Sequence, residues 1–142
     1  LASNTTGSDN TATGAVALTS NTTGISNTAT GQYALFYNTT GNSNTALGDI
    51  ALRYNTTGNY NIGIGVGAGD AITTGSNNTI IGRYLGTQSL SDTVVIAAGL
   101  AERLKITATS FSVNGTAGAS GSFTASGGEV VEVVNGIITS IG

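Results

Sequence analysis

The chain has 142 residues, of which only 8% are charged and 22 are glycine, and its formal net charge is −3. It contains no histidine, cysteine, methionine, tryptophan or proline. These absences exclude an imidazole base, a thiol nucleophile, a disulfide and soft metal ligands. Four cations are too few for a phosphate-binding surface, so we expect no nucleic-acid partner. No run of about 18 apolar residues and no signal-peptide pattern is present, so we expect no membrane insertion.

Residues 1–88 repeat with a step of 17 residues. The tetrapeptide N-T-T-G occurs four times and is followed by I-T-T-G, so the predicted coils start near residues 4, 21, 38, 55 and 72. Columns of glycine, asparagine, alanine and leucine keep the same step, and the leucine column extrapolates back to Leu1. We therefore expect a stack of equivalent coils that starts partway through a repeat of a longer array.

Each repeat is better suited to strands than to a helix. Two glycine positions and several threonines recur in every repeat, and both residue types disfavour a helix. Short segments such as residues 10–13 and 15–18 predict brief strands, joined at the glycines by turns with positive φ. The fold class expected for the array is an all-β, parallel β-solenoid with one repeat per coil.

Stacking would turn the polar columns into rows along the solenoid, with like residues about 4.8 Å apart. We expect the asparagines to share side-chain amide hydrogen bonds and the threonines to share hydroxyls. The alternative is that these asparagines are turn residues that tolerate left-handed φ. The two predicted asparagine rows are Asn4, Asn21, Asn38 and Asn55, and Asn10, Asn27, Asn44, Asn61 and Asn78.

The apolar content of a coil is small, with one leucine and two or three alanines per repeat. So thin a core predicts that several chains pack together around an axis, either intertwined or side by side. The column that starts at Ala12 is expected where neighbouring backbones approach, because larger side chains would hold them apart.

The 17-residue step lapses at Ser89, and residues 89–142 are predicted to form a small β cap over the end of the stack. Strands are expected at residues 93–98, 103–110 and 111–113. Residues 130–141 predict a hairpin, because Asn135-Gly136 supplies the two positive φ values of a type I′ turn.

Two segments of the array resemble known proteins. N-T-A-L-G-D-I-A-L at residues 44–52 and N-I-G-I-G-V-G-A-G at residues 61–69 resemble the head repeats of trimeric autotransporter adhesins, and also phage tail-fibre and tail-spike-like proteins. Residues 116–141 resemble the C-terminal end of many phage tail fibres. The resemblance implies a left-handed parallel β-roll wound once per chain, a homotrimer, and a role in attachment.

The phage family is the better match, since the 17-residue step is longer than the usual adhesin head coil and nothing resembles an adhesin stalk or anchor. We therefore expect an extracellular protein of the virion tail, with itself and a host cell-surface glycan or protein as partners. The head of a bacterial surface adhesin is the alternative.

Adjacent columns bring four residues together as a candidate glycan-contact patch: Phe36, Tyr37, Arg53 and Tyr54. An aromatic patch of this kind can stack a sugar ring. The alternative is an aromatic row that stiffens the fibre or fills space between chains.

Two further functions are weaker. The T-A-T triplets at residues 11–13 and 28–30 resemble the threonine arrays of ice-binding solenoids, but Leu47, Ile64 and Ile81 then replace the second threonine, which predicts a core-facing column. A polysaccharide depolymerase needs paired carboxylates, and Asp49 and Asp70 fall in different columns. We therefore predict that the chain is not an enzyme and has no catalytic residue, metal site or cofactor.

Overall fold

The computed structural model describes residues 1–108, 110–113, 121–124, 130–134 and 137–141. Within these ranges the chain is all-β and has no helix able to cross a membrane. The strands, in chain order, are β1 (Thr11–Thr13), β2 (Thr28–Thr30), β3 (Thr45–Leu47), β4 (Ile62–Ile64), β5 (Thr79–Ile81), β6 (Val94–Ala98), β7 (Ala101–Ile106), β8 (Phe111–Val113), β9 (Gly121–Thr124), β10 (Val130–Val134) and β11 (Ile137–Ile141).

Strands β1 to β6 lie side by side in sequence order, and each pairs in parallel with the next. From β1 to β5 the register joins each residue to the residue 17 positions later, as in Ala12 opposite Ala29. The predicted β-solenoid is therefore confirmed, with about five turns of 17 residues. The step from β5 to β6 shortens to 15 residues, with Thr79 opposite Val94.

The core lies inside each coil, beneath the middle residue of its strand. Ala29, Ala46 and Ile80 occupy this middle position and are fully buried within one chain. They pack with a buried leucine column that includes Leu35 and Leu52. The expectation that the alanine column lies between neighbouring chains is therefore wrong, because these small side chains leave room for the leucines of their own coil.

The predicted second strand of each repeat, at residues 15–18, is also wrong. This segment is a turn in which Val16 and Leu18 both have left-handed φ, at 56° and 48°. Tyr33 and Leu35 repeat these values one coil later, at 55° and 49°. Burial of the leucine side chain in the core offsets the strain that a branched residue meets in this region.

Glycine is required in the two glycine columns for different physical reasons. The column of Gly14 and Gly48 has φ values of 125° and 134°, which only glycine adopts readily. The glycine of N-T-T-G is not in this region. A Cβ atom on Gly41 would instead lie within 3.0 Å of the Gly58 carbonyl oxygen in the next coil.

Beyond β6 the pairing becomes antiparallel. Strands β7 and β8 continue the large sheet, and β9, β10 and β11 form a separate three-stranded sheet. Strand β7 begins and ends earlier than the predicted 103–110. Its pairing with β6 already starts at Ala101, opposite Ala98, and beyond its end Thr107 and Ser110 bond to each other. Strands β10 and β11 pair as the hairpin prediction requires, with Val134 opposite Ile137. The predicted turn, residues 135–136, lies outside the described residues, and the division at residue 88 with its cap remains a prediction.

Candidate functional site

The N-T-T-G asparagines form a continuous row inside the solenoid. The Asn38 side-chain amide donates to the Asn21 side-chain oxygen at 2.8 Å and to the Gly41 carbonyl oxygen at 3.0 Å. Asn55 repeats the pattern one coil later, donating to Asn38 at 2.9 Å and to Gly58 at 3.1 Å. Asn21, Asn38 and Asn55 are fully buried. Each asparagine thus closes its own turn and also bonds to the coil before it.

The second asparagine row runs beside the first. The backbone N–H of Asn44 donates to the Asn27 side-chain oxygen at 3.0 Å, and its side-chain amide donates to Asn27 at 3.1 Å and to the Gly58 carbonyl at 2.8 Å. The Asn61 amide instead approaches the Asn55 oxygen at 3.4 Å, which links the two rows. None of the nine predicted row asparagines has positive φ, so they are not left-handed turn residues.

Threonine hydroxyls also join successive coils, but not in the predicted way. The Thr22 hydroxyl donates to the Thr39 backbone carbonyl at 2.9 Å, and Thr39 does the same to Thr56 at 3.1 Å. The expectation of hydroxyl-to-hydroxyl sharing is wrong, because each of these hydroxyls donates to a backbone carbonyl of the next coil. Among the described residues, no buried side-chain nitrogen or oxygen is left without a hydrogen-bond partner.

The four residues of the candidate glycan patch lie together on the surface. The Tyr37 and Tyr54 rings stack at 5.2 Å between centroids and 7° between planes, one coil apart. Phe36 meets Tyr37 edge to face at 4.6 Å. The Arg53 guanidinium lies over the Tyr54 ring at 4.4 Å. We call Phe36, Tyr37, Arg53 and Tyr54 the aromatic patch.

Two further residues adjoin the aromatic patch. The ring of Tyr33 meets Phe36 at 5.4 Å, and Asp70 accepts both the Nε and the NH2 hydrogen bonds of Arg53, each at 3.0 Å. The 17-residue repeat could have predicted this ion pair, since Asp70 follows Arg53 by 17 residues. Asp70 neutralises the charge of Arg53 in this salt bridge. The patch therefore presents aromatic rings without an unpaired cation.

A shallow cleft lies next to the aromatic patch. It has a volume of about 270 Å³ and is lined by Tyr54, Ala71, Thr73 and Gln88. Ala71 stands one repeat after Tyr54 in the same column, so the tyrosine row stops there and space opens beside the next coil. The cleft can admit a small ring next to an aromatic side chain.

The outer face of the large sheet differs from its prediction. Leu47, Ile64 and Ile81 point away from the core and are 49%, 37% and 41% exposed. The expectation that this column faces the core is wrong, because in a three-residue strand only the middle side chain points inward. Outward threonines fill both rows of β1 and β2. From β3 onward the second row is aliphatic, while the first row keeps Thr45 and Thr79.

A polar cluster ties β7 to the fifth coil. Lys105 donates to the Tyr84 hydroxyl at 3.2 Å and to Glu102 at 3.0 Å. Burial raises the pKa of Tyr84, and the bond to Glu102 raises the pKa of Lys105. Burial pushes the pKa of Glu102 upward, but the bonds with Tyr84 and Lys105 outweigh it and lower that pKa. The cluster therefore favours a charged lysine–glutamate pair at neutral pH.

The acidic residues of the array are dispersed. Asp70 pairs with Arg53, and Asp92 accepts a hydrogen bond from Asn77 at 2.9 Å. In the part of the chain that the structure describes, no group of three acidic residues could hold a metal ion. Comparison of the chain with known protein families, curated proteins and solved structures finds no match to any of them.

Proposed function

We propose that the chain is a non-catalytic structural component of an extracellular, trimeric fibre, and that this fibre is a phage tail fibre. In this role the solenoid is a rigid spacer and takes part in attachment to the host surface. The observation that supports the proposal is the pair of asparagine rows, because every coil is bonded to its neighbours by buried side chains as well as by backbone.

A stack of this kind suits a spacer. Each 17-residue coil adds about 4.8 Å of length, so the number of repeats sets the reach of the rod without changing its cross-section. The head of a bacterial trimeric adhesin would use the same construction. Genes for virion structural proteins beside this one would favour the fibre, whereas a neighbouring stalk-and-anchor reading frame would favour the adhesin.

Light scattering on the purified chain tests the fibre proposal. We expect a particle with three times the 14.0 kDa mass of one chain, because the core of a single coil is thin and a trimer covers more of its surface. Electron microscopy should show short rods. A stable, folded particle with the mass of one chain would contradict the trimer.

Attachment through the aromatic patch is a separate prediction. We expect the protein to bind neutral oligosaccharides on an immobilised glycan panel, since the rings offer stacking surface while Arg53 is occupied by Asp70. Tyr37→Ala should lower this binding at least tenfold. Tyr60→Ala is the matched control, because Tyr60 is 64% exposed and belongs to a different column. Equal loss in both variants, or binding unaffected by Tyr37→Ala, would remove the patch from the attachment role.

A further inference from the structure

The outer face of the large sheet carries an aliphatic surface that no other part of the described chain buries. Its members are the large aliphatic residues at the outward positions of β3 to β7, whereas Thr45 and Thr79 hold the other outward position of β3 and β5. The members on β6 and β7 share one face because Val94 pairs with Ile106 and Ile96 with Leu104. We call this set the aliphatic face: Leu47, Ile62, Ile64, Ile81, Val94, Ile96, Leu104 and Ile106. All except the half-buried Leu104 are between 36% and 49% exposed.

The aliphatic face is a long stripe and not a scatter of single residues. Neighbouring strands are about 4.8 Å apart, so the stripe from β3 to β7 is about 19 Å long and runs along the stacking direction of the solenoid. The two outward positions of one strand are about 7 Å apart. A continuous apolar stripe bordered by polar residues marks an interaction surface.

We infer that the aliphatic face is where copies of this chain pack against one another, in parallel and in register. The inference rests on the proposed trimeric fibre and names the surface that forms it. The outward positions of β1 to β6 hold threonine and aliphatic residues without a single charge, so two copies can meet there without burying an unpaired charge.

The relative orientation of the copies follows from the change in side-chain type along the outer face of the sheet. Its outward positions are threonine in β1 and β2 and mostly aliphatic in β3 to β6. Parallel copies in register place the aliphatic part of one on the aliphatic part of the next, and their strand spacing matches at every coil. Antiparallel copies would place threonine rows against isoleucine rows. Parallel packing is also the arrangement that a threefold axis along the rod requires.

Charged substitutions test which surface holds the copies together. Ile64→Lys and Ile81→Lys should each reduce the mass measured by light scattering about threefold, to that of one chain, with an unchanged circular dichroism spectrum. Val66→Lys is the matched control, because Val66 is 56% exposed but lies just outside β4. It should keep the mass of the unaltered protein. Ile64→Lys with the mass of the unaltered protein would overturn the aliphatic-face interface and leave the trimeric fibre standing.

Cysteine cross-linking provides a test that does not depend on lysine variants folding. The chain has no cysteine, so Thr30→Cys and Ile64→Cys each introduce a single thiol. With a short bis-maleimide, both variants should cross-link their own copies efficiently. Parallel copies in register bring each outward position of the sheet close to the same position in the neighbouring copy. Antiparallel copies bring only positions near the twofold axis together, so cross-linking at one position alone would overturn the inference. A single-chain mass for the unaltered protein would overturn both this inference and the trimeric fibre.

Discussion

Gly41→Ala is expected to destabilise the array by about 3–5 kcal/mol of unfolding free energy, although it adds one methyl group. The new Cβ atom would lie within 3.0 Å of both the Gly58 carbonyl oxygen and the Asn38 side-chain oxygen, and 3.0 Å from the Asn55 amide nitrogen. Backbone and a buried asparagine row cannot move aside independently. The coils must therefore separate locally, which weakens the hydrogen bonds on both sides of Gly41.

Gly67→Ala is the matched control for this prediction. Gly67 has a φ of 69°, but the nearest atoms to an added Cβ are side-chain carbons 3.8 Å away. It should cost only about 1–2 kcal/mol, from backbone strain alone. Urea unfolding at a fixed protein concentration measures both variants, because an assembly's stability depends on concentration. If Gly67→Ala is the more damaging, strain and not coil contact explains the N-T-T-G glycines.

The 17-residue step in the sequence predicts much of the fold. Identical columns become rows because parallel strands pair in register, and the row of Asn38 and Asn55 and the stacked Tyr37 and Tyr54 follow directly from this. The same 17-residue step also predicts that Arg53 pairs with Asp70. This pair is recognised from the sequence only when residues one step apart are treated as spatial neighbours.

The direction in which each side chain points was less accessible from the sequence. A three-residue strand has too few alternations to separate its inner from its outer positions. The apolar column of Leu47 and Ile64 therefore predicts a core position, although both residues point outward. The left-handed φ of Leu35, in turn, has no signature in residue type. Tertiary burial decides both features. The two glycine columns look alike in sequence, but only the column of Gly14 and Gly48 has positive φ, so the local turn conformation distinguishes them.

Asn44→Asp is the second substitution with a large expected effect, and it leaves the size of the side chain unchanged. The Asn44 amide group donates to the Asn27 oxygen at 3.1 Å and to the Gly58 carbonyl at 2.8 Å, while its own oxygen accepts the Asn61 backbone N–H at 2.9 Å. A carboxylate keeps the last bond but sets an anionic oxygen against two acceptors. Because Asn44 is fully buried, we expect a loss of about 3–5 kcal/mol at neutral pH.

The pH dependence of this loss separates charge from packing. Burial against acceptors raises the pKa of the new carboxyl in the folded chain above its unfolded value of about 3.9. The deficit should be complete above the folded pKa and should shrink as the pH falls towards the unfolded pKa, since a protonated carboxyl can donate to one acceptor. Asn4→Asp, at the exposed end of the other row, is the control and should cost less than about 1 kcal/mol, because the Asn4 amide donates only to the Gly7 carbonyl. Thermal unfolding between acidic and neutral pH measures both, and an Asn44→Asp variant as stable as Asn4→Asp would show that the rows do not hold the coils together.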